Sequence, residues 1–235
     1  MSSISYTLPV HRDASIGRAL RRLIEIKRQS DEIIVCDQGS PREIIDVERR
    51  YADKVVQINE FDTIPAARNA AALEAKGEIL VSMDLDVIVP RNTPNRLEEA
   101  FKEERAVAAA CDVYVYPWEQ TPSDRVFCKM LNLRFKLGFF LGRPEGRGEF
   151  QAFRRTAFQR IGGYNDRLYA GEDSDVLLRI SRIGKVVYLR NFGVYESPRR
   201  YRVKGHIQTG LLWAGNSLRY YLGIPITRYE RVPKN

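Results

Sequence analysis

Two aspartates one residue apart, Asp84-Leu85-Asp86, close an apolar run from Glu78 to Met83. Such a run reads as a buried strand, and in parallel α/β sheets ligands gather at the carboxyl ends of strands. Two carboxylates at that edge suit a hard divalent cation, because Mg²⁺ or Mn²⁺ is normally shared between one or two carboxylates and substrate phosphates. The spacing equally suits an Asp-rich surface turn, and a second Asp-x-Asp occurs at Asp173 and Asp175, where it opens a helix pattern instead. Asp37 ends another apolar run, Glu32 to Cys36, at the same expected edge, where a carboxylate can accept hydrogen bonds from a ribose or a base. Ser40, just beyond, reads as a helix cap. Arg68, at the start of a helix pattern before the Asp84 strand, stands where backbone N–H groups would help it meet a diphosphate; an ordinary solvated arginine is the alternative. Glu172-Asp173 begin a helix after Gly162-Gly163-Tyr164. A carboxylate there serves either as a general base toward a hydroxyl or as a first-turn acid facing the helix dipole.

The elements that must position these groups alternate through the first half of the chain. Strand patterns at Ile4 to Leu8, Glu32 to Cys36, Lys54 to Ile58, Glu78 to Met83 and Ala106 to Val115 are separated by helix patterns at Ala14 to Arg28, Ser40 to Tyr51, Ala66 to Ala75 and Thr93 to Glu104. Ser40-Pro41-Arg42-Glu43 has a capping-box pattern with proline at the first helical position. Alternation of this kind predicts βαβ units and a mostly parallel sheet covered by helices. The second half is less regular. A helix pattern from Thr121 to Leu137 precedes a glycine-rich stretch, Gly138 to Glu149, which reads as a flexible loop. A helix from Asp173 to Ile183, a strand from Lys185 to Leu189, and a basic, aromatic helical tail follow.

Taken in order, three stretches resemble family 2 glycosyltransferases with the GT-A fold: EIIVCDQGS at 32–40, AARNAAALEAKGEILVSMDLDVIVP at 66–90, and GEFQAFRRTAFQRIGGYNDRLYAGEDSDVLLRISRIGKVVYL at 148–189. The resemblance implies a GT-A domain over residues 1–198, with a Rossmann-like, mostly parallel mixed sheet, and a basic aromatic extension over 199–235. It implies a UDP- or GDP-sugar donor, a glycan or lipid-linked acceptor, and Mn²⁺ or Mg²⁺ as cofactor. By the same resemblance Asp37 contacts the donor nucleoside, with Pro9 in the turn after the first strand. Asp84 lies near the ribose and metal, Asp86 ligates the ion, and Arg68 sits close to the donor. Asp173 is the base of an inverting transfer, while Gly148, Glu149 and Glu172 line the acceptor side. Arg199 and Arg200 reach the diphosphate, and His206 is a further candidate metal ligand. Gln38 stands where the family often has a second acid, and Pro9-Val10-His11-Arg12 replaces a Pro-x-Tyr-Asn type of turn.

Composition bounds the alternatives. With 235 residues, 44% of them apolar, and mixed charge, the chain is globular rather than disordered. No run of about 18 apolar residues exists, and Met1 to His11 is too short and polar for a signal peptide, so a cytoplasmic protein is expected. Cys36, Cys111 and Cys128 have no zinc or redox spacing and read as free thiols in a reducing compartment. The net charge of +8 belongs to the tail: residues 199–235 hold eight Lys/Arg and one Glu, leaving 30 basic against 29 acidic residues elsewhere. That favours an anionic partner at the tail: a phosphate-bearing substrate, an anionic membrane surface on which the protein would be peripheral, or nucleic acid. Nucleic acid is disfavoured as the main partner by the near-neutral first 198 residues. A sugar-phosphate nucleotidyltransferase would need a basic glycine-rich loop after the first strand, and His11-Arg12-Asp13-Ala14 does not supply one.

Overall fold

The computed structural model describes residues 2–59, 63–224 and 226. Its first half is the expected alternation: β1 (Ile4–Val10), α1 (Ile16–Ile26), β2 (Glu32–Asp37), α2 (Arg42–Tyr51), β3 (Lys54–Gln57), α3 (Ile64–Leu73) and β4 (Ile79–Met83). β1 lies between β2 and β4, parallel to both, and β2 pairs parallel with β3, so Val10, Asp37 and Met83 reach one edge. The strands read as nearly continuous apolar runs because both faces are covered. Ile33 and Val35 pack toward α1 with Leu20 and Leu23, whereas Ile34 and Cys36 turn to the opposite face with Ala67 and Ala71 of α3.

The second half contributes β5 (Val87–Ile88), α4 (Thr93–Phe101), β6 (Ala106–Val115), α5 (Pro122–Phe140), β7 (Phe150–Arg154), α6 (Arg155–Arg160), α7 (Glu172–Ile180), β8 (Lys185–Glu196), α8 (Arg199–Lys204) and α9 (His206–Tyr221). The strand order is β3-β2-β1-β4-β7-β6-β8-β5, and the sheet is mixed: β7 runs antiparallel to β4 and β6, and β5 antiparallel to β8. This is the α/β class that the sequence predicts. β5, β7 and α6 are elements that the periodicity does not single out.

Two local expectations are corrected. Ser40 does not cap α2, whose first turn follows Pro41 without a side-chain cap. Its hydroxyl accepts the N–H of Arg12 at 2.9 Å, and its own N–H donates to Asp37 Oδ1 at 3.0 Å, so it ties two strand ends together. Gly138 to Glu149 is not a loose loop either. α5 continues to Phe140, and Gly146, Arg147 and Gly148 are buried. The backbone there is pinned: Gly148 O accepts from Arg68, and Glu149 O accepts from the Asp84 N–H at 3.3 Å.

α5 carries an inverted pattern. Its buried residues are Asp124, Cys128 and Asn132. Asn132 clamps β6 by accepting the Val113 N–H and donating to the Val113 carbonyl, both at 3.1 Å. Asp124 closes a capping box with Thr121 and receives Arg202 Nη2 at 2.6 Å and His206 Nε2 at 2.7 Å. Through these contacts residues 199–224, which the sequence marks as a tail, lie against the rest of the domain.

Candidate active site

Arg68 lies one turn into α3, a helix capped by the Thr63 hydroxyl and opened by Pro65, and its position among Ala67, Ala71 and Ala72 carries it inward to 3% exposure. Its guanidinium joins groups from three distant segments. Nη1 donates to Asp173 Oδ1 at 2.5 Å, and Nη2 donates to Asp84 Oδ1 at 2.7 Å and to the Gly148 carbonyl at 3.1 Å. Glu172 Oε1 lies 3.5 Å from Nη1. A second layer fixes this hub. The guanidinium lies over the Tyr164 ring, 5.4 Å from its centre. Asn69 holds the Tyr164 backbone by two hydrogen bonds, and the Tyr164 hydroxyl donates to Gln151, which in turn donates to the Asp173 carbonyl. The sequence assigns no role to Tyr164 or Gln151; only their meeting across β7 and the 162–164 turn makes them supports.

One guanidinium faces three carboxylates here. Fully ionised, the cluster would carry two negative charges in excess. Burial, and then the charge of Glu172, push the Asp173 carboxyl well above its ordinary range against the pull of Arg68. Burial likewise raises Glu172. Both groups stand in the first turn of α7, which starts from Gly171 at φ +82°, a left-handed conformation that a side chain would strain. Asp173 is therefore a carboxylate with an enhanced hold on a proton, in a position that remains partly open to solvent. Gly148 fills the gap between the two sides of the cluster. A Cβ there would lie 2.6 Å from Arg68 Nη2 and 2.6 and 2.7 Å from the two Asp173 carboxylate oxygens.

The other predicted residues fall into separate groups. Asp86, in the turn between β4 and β5, accepts Arg199 Nη2 at 3.3 Å, and its carbonyl accepts the Tyr116 hydroxyl at 2.6 Å. Asp37 ends β2 beside Pro9 and Val10, but its carboxylate is fully buried, held by the Ser40 N–H and close to Glu48. Glu48, itself fully buried, is pushed up to about 8 by burial and by Asp37. His206 stacks on Tyr201 and pairs with Asp124, so it does not join Asp84 and Asp86.

A cavity of about 260 Å³ opens beside the Arg68 cluster. Asp84, Glu172 and Asp173 line one wall, α5 and α9 the other, and Arg147, Glu149 and Arg200 its floor and rim. Arg147, missed in the sequence, is 8% exposed. It donates to Glu149 at 2.6 Å and to both Glu196 oxygens at 2.7 Å, and lies 5.0 Å over the Trp213 ring. Burial raises Glu196 to about 8 despite Arg147, while in Glu149 the same arginine overcomes burial and lowers the pKa. The arginine thus acts unequally on the two glutamates, lowering Glu149 and only partly offsetting the burial of Glu196.

Among the described residues no three His, Cys, Asp or Glu side chains form a metal-binding group. Asp84 and Asp86 are two partly exposed carboxylates on one turn, the donor set that a hard cation completes with phosphates and water. The negative excess around Arg68 fits a cation in the same way.

The mixed, mostly parallel sheet flanked by helices is that of the GT-A fold. Three solved structures share it: a mannosyltransferase, PcManGT, from Pyrobaculum calidifontis in complex with GDP-Man and Mn²⁺ (TM-score 0.67, 20% identity, 98% of this chain and 65% of that one); GalNAc-T7 with UDP, GalNAc and Mn²⁺ (0.64, 17%, 84% and 44%); and TarS 1–349 from S. aureus with UDP-GlcNAc (0.63, 14%, 83% and 58%). The chain spans less than two thirds of the length of each. Its residues 8–162 match the sequence profile of glycosyl transferase family 2, and the chain belongs to that family. No curated protein matches it.

Proposed function

We propose that the chain transfers a sugar from a UDP- or GDP-linked donor to a hydroxyl of a glycan or lipid-linked acceptor, with inversion at the anomeric carbon. The observation that carries this reading is the Arg68 hub, which brings Asp84 of the β4 edge and Asp173 of α7 onto one buried guanidinium beside a cavity. The structural relatives in complex with GDP-Man and UDP support the class of donor.

In this reading the strand edge at Pro9 borders the nucleoside, with the buried Asp37 carboxylate held behind it by the Ser40 N–H, and Arg199 and Arg200 neutralise the diphosphate. Asp173 accepts the proton of the acceptor hydroxyl as its oxygen bonds to the anomeric carbon. The bond from that carbon to the diphosphate breaks on the opposite face, and the nucleoside diphosphate leaves with the electron pair. The upward shift of Asp173, caused by burial and by Glu172, strengthens its hold on the proton it would take from the acceptor hydroxyl. Mn²⁺ or Mg²⁺, when held by Asp86 and Asp84 together with the donor phosphates, would supply further charge for the leaving group. Gly148, Glu149 and Glu172 border the acceptor.

Asp173→Asn is expected to lower transfer by roughly 10²-fold or more while donor binding persists, because general-base assistance acts in the transition state. Product NMR would report the anomer. Transfer at the wild-type rate in this variant, or a retained anomeric configuration, would refute the assignment. Asp86→Asn should remove the divalent dependence of nucleotide binding in a thermal-shift titration.

A further inference from the structure

We propose that the outer faces of α5 and α9 together form a surface that docks onto an anionic lipid bilayer. On α5 the exposed residues are Val126, Met130, Leu133, Leu137, Phe140 and, at its end, Leu141, between 52% and 86% exposed. At about 100° per residue these six fall within an arc of roughly 100°, a single stripe along the helix. The inward face of the same helix holds Asp124, Cys128 and Asn132. A helix in water normally places its apolar stripe inward; here Asp124 and Asn132 are packed inside and satisfied by hydrogen bonds, beside Cys128 and the partly buried Phe127 and Phe139, and six large apolar side chains face out along about four turns.

α9, packed beside α5, repeats the pattern. Ile207, Leu211, Leu218, Tyr221 and Leu222 are 46% to 79% exposed and occupy a similar arc. Eleven large apolar side chains on two neighbouring helices exceed the scattered apolar surface of an ordinary monomer. The aromatic residues that the tail would most readily offer to a membrane turn inward instead. Trp213 packs on Phe127, Tyr201 and Arg147, and the Tyr220 hydroxyl donates to Asp175.

Charge selects the occupant. Residues 122–143 and 199–224 contain ten Lys/Arg and one Asp, and that Asp is the buried Asp124; the remaining residues hold 28 basic and 29 acidic groups. Lys129, Lys136 and Arg134 flank the α5 stripe at the angles next to it, Lys136 also pairing with Asp112 and Arg134 with Glu145 while each stays close to half exposed. A second copy of the chain would bring the same positive charge to the interface, whereas an anionic bilayer offers an apolar interior edge and negative headgroups together. No helix among the described residues is long and apolar enough to cross a membrane, so the pair would lie on the surface. The cavity beside Asp173 is walled by these two helices, so docking would bring it close to the headgroup layer.

The test is co-sedimentation of the full chain with phosphatidylcholine vesicles and with mixed phosphatidylcholine–phosphatidylglycerol vesicles, at low and high salt. The expected result is binding to the mixed vesicles that weakens with salt, and a partition lowered at least about tenfold in Met130→Glu/Leu137→Glu and in Leu211→Glu/Leu218→Glu. These positions are exposed, so circular dichroism and the melting transition should stay unchanged. Absence of binding to mixed vesicles at low salt overturns the proposal. So does binding that the glutamates leave intact, or a concentration-dependent dimer that they convert to monomer. Nucleotide binding by the same variants in vesicle-free solution reports on the transferase reading separately: either result can fail while the other stands.

Discussion

In β1, β2 and β4 the buried positions are filled mostly by Ile, Leu, Val and Met, with Ser5, Thr7, Asp37 and Ser82 as buried polar members, and α1 lays Ile16, Leu20 and Leu23 against them. Under α5 and α8 the buried positions include Asp124, Asn132, Arg147 and Glu196, and the apolar cluster shrinks to Val115, Cys128 and Tyr201 with partly buried neighbours. Apolar burial tolerates small shifts because it has little directionality, whereas a buried ion pair repays its desolvation only when every partner is in place. The first region can therefore serve as a stable platform, and the second responds as a unit to the loss of any one charge. Asp37 and Glu48 form a buried acidic pair within the first region, at a candidate nucleoside contact.

The contrast is broken most severely at Arg147. Arg147→Ala should cost about 3–5 kcal/mol in urea denaturation, because two glutamates are left buried without their cation. Arg147→Met combined with Glu149→Gln and Glu196→Gln should recover most of that loss, since no unpaired charge then remains. A triple variant as unstable as the single one would refute this account of the C-terminal region.

Glu48 of the first region and Asp124 of the second should next differ in the sign of their pH response, while Glu196 shifts upward as Glu48 does. Glu48 has a folded pKa of about 8 against an ordinary 4.5, so the folded state holds a proton that the unfolded chain has lost. Stability from this group is fully present below pH 4.5 and declines as pH rises toward 8, by up to about 1.4 kcal/mol per unit. Glu48→Gln should flatten that decline in a series of denaturation curves. Asp124 behaves oppositely. Burial would raise its pKa, but hydrogen bonds from Arg202, Thr121 and His206 take it well below the ordinary carboxylate value. Its contribution is present above the unfolded pKa of 3.8 and is lost as pH falls through the depressed folded value. Asp124→Asn should cost roughly 1.5–3 kcal/mol at neutral pH and remove this acid limb, leaving the alkaline side unchanged.

The smallest effect should come from trimming the apolar platform. Ile33→Val removes one methylene from a fully buried site and should cost about 0.5–1.5 kcal/mol, with no change in pH profile. A shift in that profile would mean that the platform and the charged network are coupled.

The same contrast explains what could be read from the chain. The βαβ half was legible because two-sided burial writes apolar runs and helix periods into neighbouring residues, so β1 to β4 and Asp37, Asp84 and Asp86 at their ends could be placed. Arg147, Glu196 and Tyr201 meet across 49 and 54 positions, and no local pattern records a meeting of that kind. α5 hid its nature for another reason. Its helical period was visible, but the period does not say which face turns inward. Ser40 was misjudged because its serine-proline signature suits a cap, while the nearby Arg12 N–H and the Asp37 carboxylate compete for the same side chain and backbone.

Gly148 contributes a missing atom. The guanidinium on one side and the carboxylate on the other approach each other through the volume that a methyl group would occupy. In a saturation library scored for turnover, this position should be as intolerant as the aspartates, though no side chain there could be credited with any chemistry. Alanine would act as a wedge, changing the distance between charged groups without altering the charge of any of them. In the proposed transferase the choice of residue at this position is therefore set by the space between two charged side chains and not by any group it could contribute.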